Sequence, residues 1–317
     1  MKISVVIPLY NKKSSIRRAV ESVLAQSLAV EEIVVVDDGS SDGSCQVVKE
    51  LIKECFLRND YRIRLISQTN SGVSAARNAG IHQAKGEWVA FLDADDVWLP
   101  FHIESIARLH AAFPQAEVLS TDYQIITTAE LAKRIGERKK RIADSFFSFA
   151  DSFSPNAERA NREGEGFVVN DLYGRLLFGK HVVWSSAAVV KKAALSSVGG
   201  FDKRMTKGED IDCWERLYEK TVFAQGNTVT VFYVSDPPDG NATRKAGDVR
   251  TYAVYLNKAA FFWKSDKDLY RFKVIYGYLK HFVSLHQWRN MLLLLLRHNV
   301  LFLKIPIYIL EKHRRGF

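Results

Sequence analysis

Apolar residues in the first 240 positions fall into short blocks that alternate between strand-like and helix-like spacing. Ile3 to Pro8 is a β-branched run, the pattern of a buried strand, and Lys13 to Gln26 follows with Ala19, Val20, Val23 and Leu24 on one helical face. The pairing recurs. Glu32 to Val36 predicts a strand and Gln46 to Cys55 a helix; Arg62 to Ile66 predicts a strand and Ser74 to Gln83 a helix. Gly86 ends that helix before a fourth strand, Trp88 to Leu92. Alternation at roughly 25 to 30 residues per unit predicts βαβ connections and an α/β fold whose mostly parallel sheet is flanked by helices.

Regularity is expected to fail from 128 to 168, where ELAKRIGERKKRIAD is highly charged and SPNAERANREGEGF has loop composition. The stretch reads as a mobile loop, and a loop of that length inside a compact domain is usually functional or disordered. Ser186 to Val190 resumes as a strand, Val229 to Val234 is the last clear one, and from Val249 onward the pattern is helical. The chain therefore divides into an α/β domain over 1–240 and a helical tail over 241–317.

Several of the strands and helices end in chemistry. WVAFLDADD (88 to 96) runs an apolar strand into Asp93, Asp95 and Asp96. Open α/β sheets bind ligands at the carboxyl ends of their strands. Asp-x-Asp spacing lets two carboxylates approach one hard divalent cation, and Mg²⁺ of this kind usually bridges protein carboxylates and substrate phosphates. The alternative is a turn in which Asp96 caps a helix beginning near Trp98. VVVDDGSSDGS (34 to 44) places Asp37 and Asp38 at a second strand end, where a carboxylate can accept from a base N–H or a ribose hydroxyl, or simply shape a turn. SGVSAARNAG (71 to 80) puts Arg77 and Asn78 on a helix. Arg77 suits a diphosphate through two parallel hydrogen bonds, or alternatively ties down Asp37 or Asp93. Gly208-Glu209-Asp210 opens a further helix, either as N-terminal capping or as a general base, with Trp214 and Arg216 following. No Walker A loop, GxGxxG, HExxH or GxSxG occurs, which removes support for kinases, dehydrogenases, zincins and ordinary hydrolases.

Charge changes the picture of the tail. The net charge is +9, but residues 241–317 hold 15 Lys and Arg against 4 Asp and Glu, an excess of +11, leaving −2 for the first 240. Basic residues mixed with long apolar runs favour a membrane surface over nucleic acid, and no nucleic-acid partner is expected. Met291 to Leu310 contains 13 Leu, Ile, Val and Phe, worth about 4 to 8 kcal/mol on insertion, while Arg297 and Lys304 cost about 5 to 7 together. His298, Asn299 and Pro306 add to that cost. Spanning is therefore not favoured. Helices lying in the interface, with Phe261, Phe262, Trp263, Trp288 and Phe302 inward, fit better; the alternative is a bundle that packs on itself or in a homo-oligomer. Cys45, Cys55 and Cys213 make no metal or disulfide pattern and suit a reducing cytosol. The amino terminus runs directly into a strand, which argues against a signal peptide and leaves the sequon at Asn241 without meaning.

SVVIPLYN, VDDGSSDGS, SGVSAARNAGI, GEWVAFLDADD, VGGFD and GED stand in one order over about residues 3 to 235. In this the chain resembles the family 2 glycosyltransferases of the GT-A fold. The resemblance implies an inverting, metal-dependent transferase with a nucleotide-activated sugar as donor, commonly UDP-linked. Carried over position by position, it implies that Asp38 binds uracil, with Pro8 and Tyr10 lining the base pocket and Arg77 near the base or diphosphate. Asp95 is implied as the direct ligand of Mn²⁺ or Mg²⁺, Asp93 as a ligand of ribose or metal, Asp210 as the base and Glu209 as its support. Trp214 and Arg216 are implied on the acceptor side or behind it. With the basic tail, the resemblance implies a cytoplasmic enzyme, peripheral on the inner face of the membrane, whose glycan acceptor is carried on a polyprenyl diphosphate as in surface-polysaccharide assembly. Other readings are a catalytically silent scaffold, which would have lost an acid from these blocks, and a nucleotidyltransferase, which would need a glycine-rich loop where PLYNKKSS stands.

Overall fold

The computed structural model describes residues 1–139, 165–177, 183–205 and 207–235, with isolated parts of the C-terminal region (266–270, 272–274, 276, 309 and 312–314). The first four strands are β1 (Ile3–Leu9), β2 (Glu32–Asp37), β3 (Ile63–Ser67) and β4 (Trp88–Phe91), joined by helices α1 (Ile16–Leu24), α2 (Ser44–Phe56) and α3 (Val73–Gln83). They pair in parallel, with β1 between β2 and β4 and β3 outside β2. The two faces of this half-sheet are filled by alternate residues, as a period of two requires. Val5, Ile7, Leu9, Ile33 and Val35 join α1 and α2 in the main core, whereas Val34 and Val36 pack with Ala76 of α3. A Cβ at Gly80 would lie 2.3 Å from Val6, so only glycine lets α3 seat this closely on β1.

Beyond β4 the sheet becomes mixed. It continues through β8 (Ala188–Lys191), which runs on into the short helix α7 (Lys192–Ser197), then β6 (Ala116–Ile126), β9 (Val222–Val234) and β5 (Val97–Trp98), and β7 (Phe167–Val168) also pairs with β9. β8 is antiparallel to both β4 and β6, while β6 and β9 are parallel. The long strand β6 is absent from the sequence reading, and β9 begins seven residues before the predicted Val229. Both carry polar residues (Ser120, Thr121, Asp122; Gln225, Asn227, Thr228) and register shifts that break the alternation.

Two expectations need correction. No helix begins near Trp98: Val97 and Trp98 pair with β9 as β5, and α4 (His102–Ala112) starts later. The charged stretch after Thr127 is not structureless throughout, because α5 (Thr128–Lys139) occupies its beginning. Its start is a reciprocal capping box: the Thr127 N–H donates to Glu130 at 2.8 Å and the Glu130 N–H to Thr127 Oγ1 at 3.1 Å. The end of the insert carries β7, and the part between, 140–164, lies outside the described residues.

By contact the chain forms two compact units. One comprises Met1–Val169, Val183–Lys203 and Asp210–Asp239; the other comprises Asn170–Val182, Arg204–Glu209 and Gly240–Phe317. Within the second, α6 (Leu172–Leu177) places Tyr173 6.4 Å from Tyr270, and Met205 packs against Val274. Among the described residues no helix is long and apolar enough to cross a membrane. Apart from Ile309, Met291 to Leu310 lie outside the described residues, as do the aromatics Phe261, Phe262, Trp263, Trp288 and Phe302 and the sequon residue Asn241. Cys55 and Cys213 are buried and all three cysteines are free; burial pushes the Cys213 thiol up to about 12, so it remains a neutral packing group.

Candidate active site

The parallel strands β2, β1 and β4 end side by side, and their carboxyl edge carries most of the residues singled out from sequence. Pro8 and Leu9 pair with Val36 and Asp37, and the Asp38 N–H donates to the Leu9 carbonyl at 2.8 Å. Tyr10 stands just beyond, half exposed. Asp38 is buried, yet its carboxylate is well supplied with donors. Oδ1 accepts from Gln68 Nε2 at 2.7 Å and the Ser71 N–H at 2.8 Å, and Oδ2 accepts from the Gly72 N–H at 2.8 Å. A carboxylate offers about four acceptor positions, so one on Oδ2 is left for a ligand. Asp38 thus shapes the loop leading into α3 while retaining capacity for a donor such as an imide N–H.

From α3, Arg77 reaches Asp93 at 2.8 Å and lies over the Phe201 ring, 5.2 Å from its centre. The guanidinium is buried, whereas the Asp93 side chain is 30 % exposed. Of the two readings left open, Arg77 therefore does tie down Asp93, at a position that still faces the strand ends. Asp95 is paired with Lys12 Nζ at 2.5 Å, and its main-chain oxygen accepts from Arg18.

Asp96 is the odd member. It is wholly buried, accepting from Ser186 Oγ and from the Val234 N–H instead of capping a helix. Burial first, then the charges of Asp95 and Asp93, push its carboxyl well above the ordinary range. Asp96 is thereby a strand-joining group, not a ligand position.

Ser186 was not singled out from sequence, and nothing in the motif pattern marks it. Its hydroxyl donates to Asp96 and accepts from the Asp93 N–H at 3.1 Å, while its carbonyl accepts from Trp98 Nε1 at 2.6 Å. The adjacent Ser185 donates to the Asp210 carboxylate at 3.0 Å. Two consecutive serines, set at the mouth of β8, thus link the acidic strand end to the start of α8 (Glu209–Tyr218). Asp210 is half-buried, with Oδ1 accepting from the Ile211 N–H at 2.8 Å; Glu209 beside it is buried.

Trp214 is buried against Phe91 and Phe201, with ring centres 6.2 and 5.8 Å away. Arg216 is held by Asp212 at 2.7 Å and donates to the Val198 and Gly200 carbonyls, the latter at 2.7 Å. Both side chains brace the VGGFD loop behind the strand ends.

The acids suit a hard divalent cation in kind. Asp93 and Asp95 remain partly open, and beyond their bonds to Arg77 and Lys12 each carboxylate has acceptor positions left; among the described residues no group of three or more His, Cys, Asp or Glu side chains could hold a metal ion by itself. That donor set matches Mg²⁺ or Mn²⁺, which keep several positions for water and substrate phosphate, better than a cation that needs an all-protein cage.

A family model for glycosyl transferase family 2 matches residues 4–169, just over half of the chain. The chain belongs to glycosyl transferase family 2. Glycosyltransferase GlyA of Streptococcus pneumoniae serotype 4 is 27 % identical over 314 residues, covering 98 % of this chain and 36 % of its own. The uncharacterised glycosyltransferase YibD of Escherichia coli is 41 % identical over 108 residues, 34 % of this chain and 30 % of its own length. The chain thus spans about a third of the length of these relatives. Among solved structures, S. aureus TarS 1-349 in complex with UDP-GlcNAc aligns with a TM-score of 0.60 at 19 % identity, over 90 % of this chain and 73 % of that one. At that identity the likeness bears on the fold alone, which is GT-A: a large central sheet with flanking helices.

Proposed function

We propose that this chain transfers a sugar from a UDP-sugar to a hydroxyl of a glycan acceptor, with inversion at the anomeric carbon. The observation that carries the reading is the Asp210–Ser185–Ser186–Asp93 connection. It links the half-buried Asp210 carboxylate, which has no cationic partner among the described residues, to the acidic strand end of Asp93 through two adjacent serines. Asp38 offers its remaining acceptor position to the uracil N3–H, with Pro8 and Tyr10 beside it. Structures of TarS hold UDP and UDP-GlcNAc, which supports the same class of donor here.

Arg77, oriented by Asp93, is proposed to supply positive charge to the departing diphosphate, and such fixed charges need no reorganisation as the reaction proceeds. A Mn²⁺ or Mg²⁺ held by Asp95, with Asp93 beside it, would supply further neutralisation of that leaving group. Asp210 takes the proton of the acceptor hydroxyl as its oxygen bonds to the anomeric carbon, while the bond from that carbon to the diphosphate oxygen breaks. Glu209 supports the base from the same helix start. The basic tail, 241–317, is proposed to dock on anionic membrane and to bring a polyprenyl-diphosphate-linked acceptor to the domain over 1–240.

Calorimetry with UDP and CDP in the presence of Mn²⁺ tests the donor side. UDP should bind more tightly, because a cytosine base lacks the N3–H donor and would leave the Asp38 oxygen unpaired. Asp95→Asn should lose the Mn²⁺-dependent part of UDP binding and all transfer while melting like wild type. Equal affinities for UDP and CDP, or unchanged turnover of Asp95→Asn in chelator, would overturn these assignments.

A further inference from the structure

We propose that the Lys12 ammonium is a built-in counter-ion of Asp95 that competes with a divalent cation for that carboxylate. It therefore sets the chain's affinity for the ion together with the acids themselves. This rests on the reading of Asp95 as the metal-facing carboxylate.

The pair is constructed from both sides. Lys12 lies in the turn between β1 and α1, and that turn is fastened to the loop between β2 and α2. The Asn11 N–H donates to Ser40 Oγ at 3.0 Å, the Lys12 N–H to Ser44 Oγ at 2.8 Å and the Lys13 N–H to Asp42 at 2.9 Å. Asn11 takes a left-handed φ of 50° and accepts the Ser41 N–H at 2.9 Å. The Lys12 carbonyl in turn accepts the Ser15 and Ile16 N–H groups at 3.1 and 2.9 Å. On the other side Arg18 holds the Asp95 main chain. The Lys12 stem thus starts from a fixed point and spans a fixed distance to Asp95.

Charge explains why such a counter-ion is useful. Three carboxylates stand within four residues, at 93, 95 and 96. Asp93 is neutralised by Arg77 and Asp96 is sealed between Ser186 and Val234, which leaves Asp95 to Lys12. Without Lys12 the strand end would carry an uncompensated negative charge whenever no cation is bound. With the Lys12 and Asp95 side chains 36 and 23 % exposed, the ion pair is accessible and exchangeable.

Mn²⁺ binding to the 317-residue chain, followed by electron paramagnetic resonance of the free ion without donor, tests this independently of turnover. Lys12→Met should tighten Mn²⁺ binding about tenfold, since it removes both the competing partner and a like charge near the ion. Lys12→Arg, which retains the cation, should stay within about twofold of wild type. Lys13→Met, a neighbouring charge whose stem runs along Gly43, should also stay within about twofold. Unchanged or weaker binding in Lys12→Met overturns the proposal, as does equal tightening in Lys13→Met, which would mean a general field effect. UDP-induced thermal shift on the same samples separates the two levels: if wild type binds Mn²⁺ and UDP but Lys12→Met behaves like wild type, only the role of Lys12 falls. If wild type binds neither, the donor reading falls with it.

Discussion

The side-chain amide of Asn78 clasps the backbone of Phe201 from both directions: its Nδ2 donates to the Phe201 carbonyl at 2.8 Å, and its Oδ1 accepts the Phe201 N–H at 2.8 Å. One residue of α3, next to Arg77, thereby fixes the VGGFD loop that Arg216 grips from α8. The approach is so close that a Cβ on Gly200, whose φ is +66°, would lie 2.4 Å from Asn78 Oδ1.

Asn78→Ala should cost about 1 to 3 kcal/mol, because both backbone groups of a part-buried residue lose their partner. Gly200→Ala should cost more than about 1 kcal/mol from its left-handed backbone alone, and further through the clash. The two changes should be less than additive, since removing the Asn78 amide relieves the clash but not the backbone strain. Urea denaturation of the two single variants and the double variant measures this; strict additivity would show that the contact is not the source of the cost.

Asp210→Asn should lower kcat by about 10² to 10⁴ with UDP affinity nearly unchanged, the signature of a lost general base. Ser185→Ala removes the hydroxyl that orients Asp210 and should lower kcat more modestly, by about tenfold or less. In the Asp210→Asn background it should add almost nothing, because its effect passes through the missing carboxylate. A Ser185→Ala change that weakens UDP binding and leaves kcat alone would assign it to the donor site instead.

His102 gives the fold an acid sensitivity separate from the site. Its ring lies tilted against Trp98 with centres 4.2 Å apart, and its Nδ1 lies 2.7 Å from Thr230 Oγ1, with Thr121 Oγ1 2.6 Å from the same hydroxyl. Burial depresses its pKa from 6.5 to about 3. The unfolded chain therefore takes up a proton below about pH 6.5 that the folded chain refuses until about pH 3, so stability falls as pH falls through that window. At pH 5 the loss is about 2 kcal/mol. Asp96 acts in the opposite sense: its raised pKa makes the folded chain the better proton binder above the usual carboxylate range, so its contribution is lost as pH rises. His102→Asn should narrow the stability difference between pH 7 and pH 5 by about 2 kcal/mol in urea melts. An unchanged difference would mean that His102 is protonated in the fold.

The alternating half of the fold could be read directly from sequence. β1 to β4 and α1 to α3 are close in sequence and strongly periodic, and each acid at a strand end is announced by the apolar run before it. Asp38, Asp93 and Asp95 stand out as candidates for that reason, and Glu209-Asp210 because a carboxylate pair opening a helix is a local signal. What local pattern could not decide is which groups meet across long separations. Ser186 joins Asp93 and Asp96 over some ninety positions, and Ser185 meets Asp210 over a separation of 25 that includes β8. Lys12 reaches Asp95 over a separation of 83, and Asn78 reaches Phe201 over 123. A serine or lysine carries no periodicity of its own, and its partner is set by strand order in the sheet. The same holds for Asp96, which shares its motif with Asp95 but not its surroundings. Sequence supplied three neighbouring carboxylates; only the packing of β8 and β9 against β4 and β5 buried one of them and left the other two facing outward.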